Sequence, residues 1–262
     1  MRPKLDEPIA TSLLDVDDYK FTMGQLVYHK YPDFPVKYGF RNRTKGIQLA
    51  NVIPVEALRG QLDHARSLRF APGEIQYLGC ATNGDQLMYS NIYLYHLAGY
   101  HLPEYDLWES DGNFLLEFAG SWLSQIHWET IALSIINELY YRYLTKEMTS
   151  EEYQLVIDEG MRRLEAKVQR LRQYPGIRIM EFGTRRRFAL WWQEKVVEYL
   201  MENLYPEQLV GTSNTHLAKK LGIPSMGTSA HELYMVLACM MGENDEGLLS
   251  ATQRLLNDWE EM

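Results

Sequence analysis

The chain has 262 residues, of which 46% are hydrophobic and 23% charged, a composition typical of globular proteins rather than disordered, collagen-like or coiled-coil ones. Its net charge of −9 argues against a general binder of nucleic acids or anionic membranes, and no run approaches the ~18 apolar residues of a transmembrane helix. Two distant cysteines, Cys80 and Cys239, make no disulfide framework, so we expect a reducing, cytoplasmic setting.

The first half of the chain predicts an irregular mixture of helices and strands. Three acids, Asp15, Asp17 and Asp18, stand where they would cap a helix at about 19–29. Apolar and polar residues then alternate over 36–41, which indicates a half-buried strand. Three short helices are predicted at about 54–67, 72–79 and 85–98. One hairpin is predicted, with strands at 105–109 and 113–118.

The second half alternates more regularly between helices and strands. A largely buried helix is predicted around 126–139 and a long amphipathic helix over 151–173. Three short apolar strands follow, each with a helix after it: 177–182 with 186–203, 208–211 with 213–221, and 223–227 with 230–241. Such βα units have parallel strands. We therefore predict an α/β fold, with an α+β N-terminal domain over residues 1–125 and an irregular, incomplete α/β barrel domain over 126–262.

The ends of the three predicted strands share one pattern. Each stops at a Gly-Thr pair, at 183–184, 211–212 and 227–228, and arginines, a serine or a histidine follow in the next turn. In parallel α/β folds ligands bind at the carboxyl ends of the strands, where helix N-termini offer unpaired N–H groups to anions. We therefore expect these ends to face one anion-binding cavity.

The residues at these ends also have structural explanations. Arg185, Arg186 and Arg187 could form a solvated helix start, but cations oppose the dipole there, and a bound anion would relieve the conflict. His231 could be structural, or it could act as a nucleophile or acid–base group whose tautomer the neighbouring Glu232 fixes. As a metal ligand it is unfavourable, because no second His or Cys stands at ligand spacing.

Two further residues are ambiguous on their own. Ser213 fits an ordinary N-cap as well as a substrate contact. Tyr19, next to three acids at a predicted helix start, fits ordinary packing as well as stacking on a flat ligand. Neither residue identifies a ligand by itself.

Taken together, these residues resemble the nicotinate phosphoribosyltransferase family, which joins nicotinic acid to phosphoribosyl pyrophosphate. The segments that carry the resemblance agree in order, spacing and content, at 13–23, 38–43, 181–188, 211–214 and 227–232. The resemblance runs from about residue 9 to residue 262. It implies that the second domain is a type II phosphoribosyltransferase barrel.

The resemblance also implies roles for the substrate-binding residues. Tyr19 is similar to the tyrosine that covers the pyridine ring from the partner subunit, and Phe182 to the aromatic residue on the other face. Arg185 is similar to the arginine that holds the phosphoribosyl donor, and Arg43 to a partner-subunit arginine near its phosphates. Ser213 stands where amide-using relatives carry an aspartate, which favours nicotinate over nicotinamide because a serine does not repel a carboxylate.

The remaining site residues follow the same resemblance. His231 is similar to the histidine that the family phosphorylates from ATP, so His231 and Arg185 are the expected catalytic residues. Thr184, Thr212 and Thr228, from the three Gly-Thr pairs, are expected to contact substrate. The implied co-substrates are ATP and phosphoribosyl pyrophosphate, with Mg²⁺ on their phosphates and no tightly bound cofactor. The implied assembly is a homodimer with shared active sites.

The sequence departs from the family in one respect. The family is longer, and its later part carries an Arg-x-Asp-Ser-Gly-Asp-Pro type motif and a glycine-rich phosphate loop that this sequence lacks. We therefore expect either an N-terminal portion of the enzyme or a shortened relative that has lost activity and keeps a nicotinate pocket. The quinolinate-using relatives are a weaker alternative, because two substrate carboxylates call for more basic residues than stand beside Tyr19 and Ser213.

Overall fold

The computed structural model describes residues 2–227, 229–241 and 245–261. The helices are α1 (Tyr19–Lys30), α2 (Val55–Ser67), α3 (Pro72–Gly79), α4 (Asn91–Gly99), α5 (Trp122–Gln125), α6 (Trp128–Leu144), α7 (Ser150–Arg172), α8 (Leu190–Asn203), α9 (Thr215–Leu221), α10 (His231–Met241) and α11 (Asp245–Glu260). The strands are β1 (Pro35–Gly39), β2 (Thr82–Asn83), β3 (Gln86–Leu87), β4 (Asp106–Ser110), β5 (Asn113–Ser121), β6 (Ile179–Glu181) and β7 (Leu209–Thr212). This mixture of helices and strands confirms the predicted α/β class.

An antiparallel sheet of order β1-β5-β4 forms the centre of the first half. The predicted hairpin is confirmed: Asp111 and Gly112 connect its strands, both with positive φ (51° and 72°), as a tight turn between twisted strands requires. In β5, every second residue is buried (Phe114, Leu116 and Phe118), so one face of the sheet lines the core.

Helices α2, α3, α4 and α6 share one hydrophobic core with this sheet. On α6, Ile131, Ile135 and Leu139 are buried in the same core as the sheet residues, and the Trp128 ring stacks on Phe118 with centroids 4.7 Å apart. The boundary predicted between residues 125 and 126 stays a prediction. In this half, one predicted boundary is wrong: 85–90 is not helical, because Gly84, with φ 63°, turns the chain into the β2–β3 pair and α4 begins only after Ser90.

The second half contains the predicted parallel pairing. β6 and β7 are parallel, and the third predicted strand, at 223–227, is reduced to a parallel bridge between Thr212 and Ser225, because Pro224 has no N–H to donate. α8 begins at Leu190 and not at 186, since 184–186 form a 3₁₀ turn.

A second hydrophobic core joins the two ends of the chain. It contains Tyr19, Met23, Trp122, Leu233 and Leu255, so α1, α5, α10 and α11 pack together. This core places α1 beside the start of α10. Within the described ranges, no helix combines the length with the apolarity that spanning a membrane requires.

Candidate active site

The start of α1 is bonded to the end of β7. The Asp18 N–H donates to the Ser213 carbonyl over 2.7 Å, and the Ser213 hydroxyl donates to Asp17 Oδ1 over 2.8 Å. The Ser225 hydroxyl donates to Asp18 Oδ1 over 2.7 Å. The predicted helix capping is therefore wrong: the Asp18 side chain makes no capping hydrogen bond to α1, because these carboxylates bind the strand ends instead.

Burial affects the acids of this segment differently. Burial raises the pKa of Asp17 and of Asp18 above the usual value, and hydrogen bonds from serine hydroxyls offset part of that rise. Burial also acts to raise the pKa of Asp15, but the Arg187 guanidinium outweighs it and holds that pKa below its usual value. Arg187 contacts both Asp15 oxygens, at 2.5 and 2.6 Å.

Two aromatic rings face each other at the strand ends. The centroids of Tyr19 and Phe182 lie 6.1 Å apart, with 24° between the ring planes. Tyr19 is buried and donates its hydroxyl hydrogen to Asp17 Oδ2, whereas Phe182 is 42% exposed. A ring inserted between them needs about 7 Å, twice the optimal carbon–carbon contact distance. Phe182 therefore has to move outward by about 1 Å for a flat ligand to enter.

Both rings belong to one chain. The anchoring of Asp17 and Asp18 to Ser213 and Ser225 holds the next residue, Tyr19, beside Phe182 of the same chain. The placement of Tyr19 in a partner subunit's site, which the resemblance implies, stays a prediction.

The three consecutive arginines have three different environments. Arg185 is half-buried, its Nη1 2.7 Å from Glu129 Oε1 and its Nε 3.3 Å from Asp17 Oδ2. Arg186 is exposed, and Arg187 is buried. None of them begins an α-helix, so the predicted conflict with a helix dipole is wrong. Arg185 is the arginine that the fold brings to the ring pair.

Thr184 and Thr212 are buried behind the strand ends. Thr212 donates to Glu181 Oε2 over 2.7 Å, and Thr184 Oγ1 accepts from Gln193 Nε2 over 3.2 Å. Both threonines and Ser213 are fully buried, so their hydroxyls do not reach solvent. They hold the strand ends together, and their predicted contact with substrate stays a prediction.

His231 is exposed at the first position of α10. Its neighbour Glu232 turns inward, where it accepts from Tyr38 Oη at 2.6 Å and from Trp122 Nε1 at 2.9 Å. The expectation that Glu232 fixes the tautomer of His231 is therefore wrong. Arg43 is exposed in the segment after β1, and Thr228 lies outside the described residues.

Sequence reasoning missed one residue, Lys20. Its ammonium group is buried 2.8 Å from Glu129 Oε2 and 2.5 Å from Glu232 Oε2. The available signal was a lysine flanked by Tyr19 and Phe21 on a helix that carries few other charges. In the part of the chain that the structure describes, no three His, Cys, Asp or Glu side chains group as a metal site would require.

The chain is similar to nicotinate phosphoribosyltransferases along most of its length. Residues 14–137 match the model of the nicotinate phosphoribosyltransferase (NAPRTase) N-terminal domain, and residues 177–249 match that of the NAPRTase family. The fold is similar to nicotinate phosphoribosyltransferase structures from Vibrio cholerae (29% identity, TM-score 0.76, covering 96% of this chain and 58% of that one) and Porphyromonas gingivalis (28%, 0.77, 96% and 60%). A Saccharomyces cerevisiae protein is similar too (29%, 0.79, 98% and 62%).

The chain therefore spans less than two thirds of the length of each of these structures. The two matched segments nevertheless include α1, the ring pair and the strand ends. The protein belongs to the nicotinate phosphoribosyltransferase family.

Proposed function

We propose that the protein is a nicotinate phosphoribosyltransferase, which forms nicotinate mononucleotide and pyrophosphate from nicotinate and phosphoribosyl pyrophosphate. The observation that carries the proposal is the ring pair of Tyr19 and Phe182 at parallel strand ends, next to the guanidinium of Arg185. Aromatic faces bind a flat pyridine ring, and an arginine binds a diphosphate.

The reaction follows from these two groups. The pyridine nitrogen forms a bond to C1 of the ribose, and the bond from C1 to the pyrophosphate oxygen breaks. Positive charge develops on the ribose and remains on the pyridinium, where the electron-rich faces of Tyr19 and Phe182 stabilise it. Negative charge develops on the leaving pyrophosphate, which Arg185 stabilises, while Mg²⁺ arrives with the donor phosphates.

Ser213 acts on specificity indirectly in this scheme. Its hydroxyl is buried and donates to Asp17, and it adds no charge of its own beside Tyr19. An aspartate at position 213 would repel a substrate carboxylate more strongly than this serine does. The serine therefore supports nicotinate over nicotinamide as the substrate.

We also infer that ATP cleavage drives the reaction through a phosphohistidine at His231. The exposure of this side chain and its place at the start of an eleven-residue helix support the inference, since helix N–H groups stabilise a phosphoryl group. A cytoplasmic homodimer with shared active sites is proposed from the resemblance and the composition.

The test is product formation by the 262-residue chain. Radiolabelled nicotinate and phosphoribosyl pyrophosphate are incubated with it, with and without ATP, and nicotinate mononucleotide is separated by chromatography. We expect turnover that Tyr19→Ala reduces at least tenfold, while Tyr95→Ala, at an 83% exposed tyrosine, serves as the matched control. Absence of product contradicts the proposal.

The second candidate is a nicotinate-binding protein without turnover. The observation in its favour is the length, because the chain spans 58% to 62% of the related structures. Equilibrium dialysis with labelled nicotinate distinguishes the two functions. Saturable binding that Tyr19→Ala removes, with no nucleotide formed, identifies the binding protein.

A further inference from the structure

Lys20 connects two carboxylates that belong to different helices. Its Nζ lies 2.8 Å from Glu129 Oε2 on α6 and 2.5 Å from Glu232 Oε2 on α10. The lysine side chain is fully buried, so solvent screens this contact much less than it screens a surface ion pair. Without the ammonium group, the two carboxylates would repel each other across the core.

Each of these carboxylates has a second partner. Glu129 Oε1 accepts from Arg185 Nη1 over 2.7 Å, and Arg185 in turn reaches Asp17. Glu232 Oε1 accepts from Tyr38 and Trp122, which fixes the start of α10 next to His231. An unbroken series of charged contacts therefore runs from the start of α10, through Lys20 and Glu129, to Arg185.

The charges in this series are stable. Burial acts to lower the pKa of Lys20, but Glu232 and Glu129 outweigh it and raise the pKa above the usual value. Burial acts to raise the pKa of Glu129, and Lys20 and Arg185 together lower it. The group is therefore a set of ions, and removing one cation leaves an uncompensated buried anion.

Lys20 also lies near the ring pair. Its Nζ is 5.7 Å from the centroid of the Tyr19 ring and 6.0 Å from that of Tyr38. Both distances fall within the range of cation–π contacts. The Lys20 ammonium group therefore lies close to the aromatic rings and is connected to the Arg185 guanidinium through Glu129.

We propose that Lys20 is a positioning residue, which holds Glu129, and through it the Arg185 guanidinium, in place while it fastens the start of α10 to the same point. This rests on the proposed function in one respect, because Arg185 is taken to bind the phosphoribosyl donor. Loss of the lysine charge frees Glu129 to move and makes the site more negative, and both effects weaken binding of an anionic donor.

The variants are Lys20→Met, which removes the charge, and Lys20→Arg, which keeps it. Lys37→Met is the matched control, because Lys37 pairs with Glu117 over 2.7 Å on the exposed face of β1. Two measurements need no activity: hydrogen exchange of the segment at 229–236, and the rate at which phenylglyoxal modifies Arg185, followed by mass spectrometry. Steady-state kinetics give the KM for phosphoribosyl pyrophosphate separately from kcat.

We expect Lys20→Met to accelerate both the exchange at 229–236 and the modification of Arg185. The KM for the donor should rise about 10- to 100-fold, with a smaller change in kcat, as expected when a binding group is displaced by about 1 Å. Lys20→Arg should restore most of each value, and Lys37→Met should match the unaltered protein.

Two results overturn the proposal: unchanged modification of Arg185 in Lys20→Met, or unchanged exchange at 229–236. An unaltered protein that forms no product contradicts the proposed function instead, and the two activity-independent measurements still decide the role of Lys20. If circular dichroism shows Lys20→Met unfolded, Glu129→Gln replaces it, and its Arg185 must then be modified faster than in the unaltered protein.

Discussion

Ser213 and Asp17 are 196 positions apart in the chain and are joined by a hydrogen bond of 2.8 Å. This bond fastens the chain two residues before α1 to the residue that follows β7. Because Tyr19 follows two residues later, the bond also sets where the buried ring of the pair stands. The aromatic site is therefore built by the contact between the first helix and the second parallel strand.

Ser213→Asp places a second carboxylate within hydrogen-bond distance of Asp17. Each of these carboxylates raises the pKa of the other, and the negative charge that the substitution adds to the site disfavours the nicotinate carboxylate. We expect at least tenfold weaker binding of nicotinate, with a smaller effect on nicotinamide, measured by equilibrium dialysis of both ligands. Ser213→Asn is the neutral control of the same shape. Equal losses for the two ligands in Ser213→Asp would show that the position does not set specificity.

Gly227→Ala tests the close approach of the third strand end to α1. A Cβ at this position would lie 2.6 Å from the Tyr19 backbone nitrogen, so α1 must shift. We expect a loss of about 1–3 kcal/mol in the free energy of unfolding, measured by urea denaturation, and weaker nicotinate binding.

The control for this variant is Gly60→Ala. Gly60 lies inside α2, and the position of its Cβ is open to at least 4 Å. Alanine there should stabilise the helix by about 0.5–1 kcal/mol. If Gly227→Ala is as stable as the unaltered protein and binds nicotinate equally well, the contact with Tyr19 does not position the ring.

The sequence predicted the elements whose signals are local. The hairpin at 106–121 depends on a two-residue turn, and α7 on its amphipathic period and its capping box at Thr149 and Glu152. The start of α8 could not be predicted in the same way. It depends on Arg187, which extends the chain before the helix to reach Asp15, 172 positions away.

In the candidate site too, local sequence signals were informative, and contacts between distant residues could not be predicted. The Gly-Thr pattern is contiguous in the sequence, and it marked the ends of β6 and β7, which pair in parallel. That these ends bind substrate stays a prediction. The roles of Asp17 and Asp18 were mistaken for helix caps, since their partners Ser213 and Ser225 are distant in the chain. Lys20 was missed because its two carboxylates come from helices far along the sequence.

Asp15 and Asp18 should change stability with pH in opposite directions. The lowered pKa of Asp15 means that its ion pair stabilises the fold above the unfolded pKa of 3.8, and that this stability is lost as pH falls through the folded value. Asp15→Asn should therefore cost about 3–5 kcal/mol near neutral pH, and less in acid.

The pKa of Asp18 is raised, so its ionised form destabilises the fold and stability is lost as pH rises through the folded value. Asp18→Asn keeps an oxygen to accept from Ser225 and removes the charge. We expect it to be more stable than the unaltered protein at neutral pH, with the difference vanishing below pH 3.8. Urea denaturation across pH 3 to 8 measures both variants, and a gain for Asp18→Asn that does not depend on pH would contradict this account.

His231→Ala tests whether α10 couples ATP to the transfer reaction. The side chain is exposed, and Glu232 faces the core, so the substitution leaves the contacts of Lys20 intact. We expect loss of the stimulation by ATP, while a slower transfer without ATP persists, because bond formation at the ribose does not use the histidine. The variant should also lose an acid-labile, base-stable phosphate label from ATP.

His64→Ala and His216→Ala are the matched controls, since both histidines lie away from the start of α10, on α2 and α9. Both should keep the label and the stimulation by ATP at the level of the unaltered protein. If His231→Ala keeps them as well, His231 is structural and another residue accepts the phosphoryl group. A label lost from His231→Ala while the stimulation by ATP remains would instead separate phosphorylation from coupling, because a phosphohistidine can drive the reaction only when turnover passes through it.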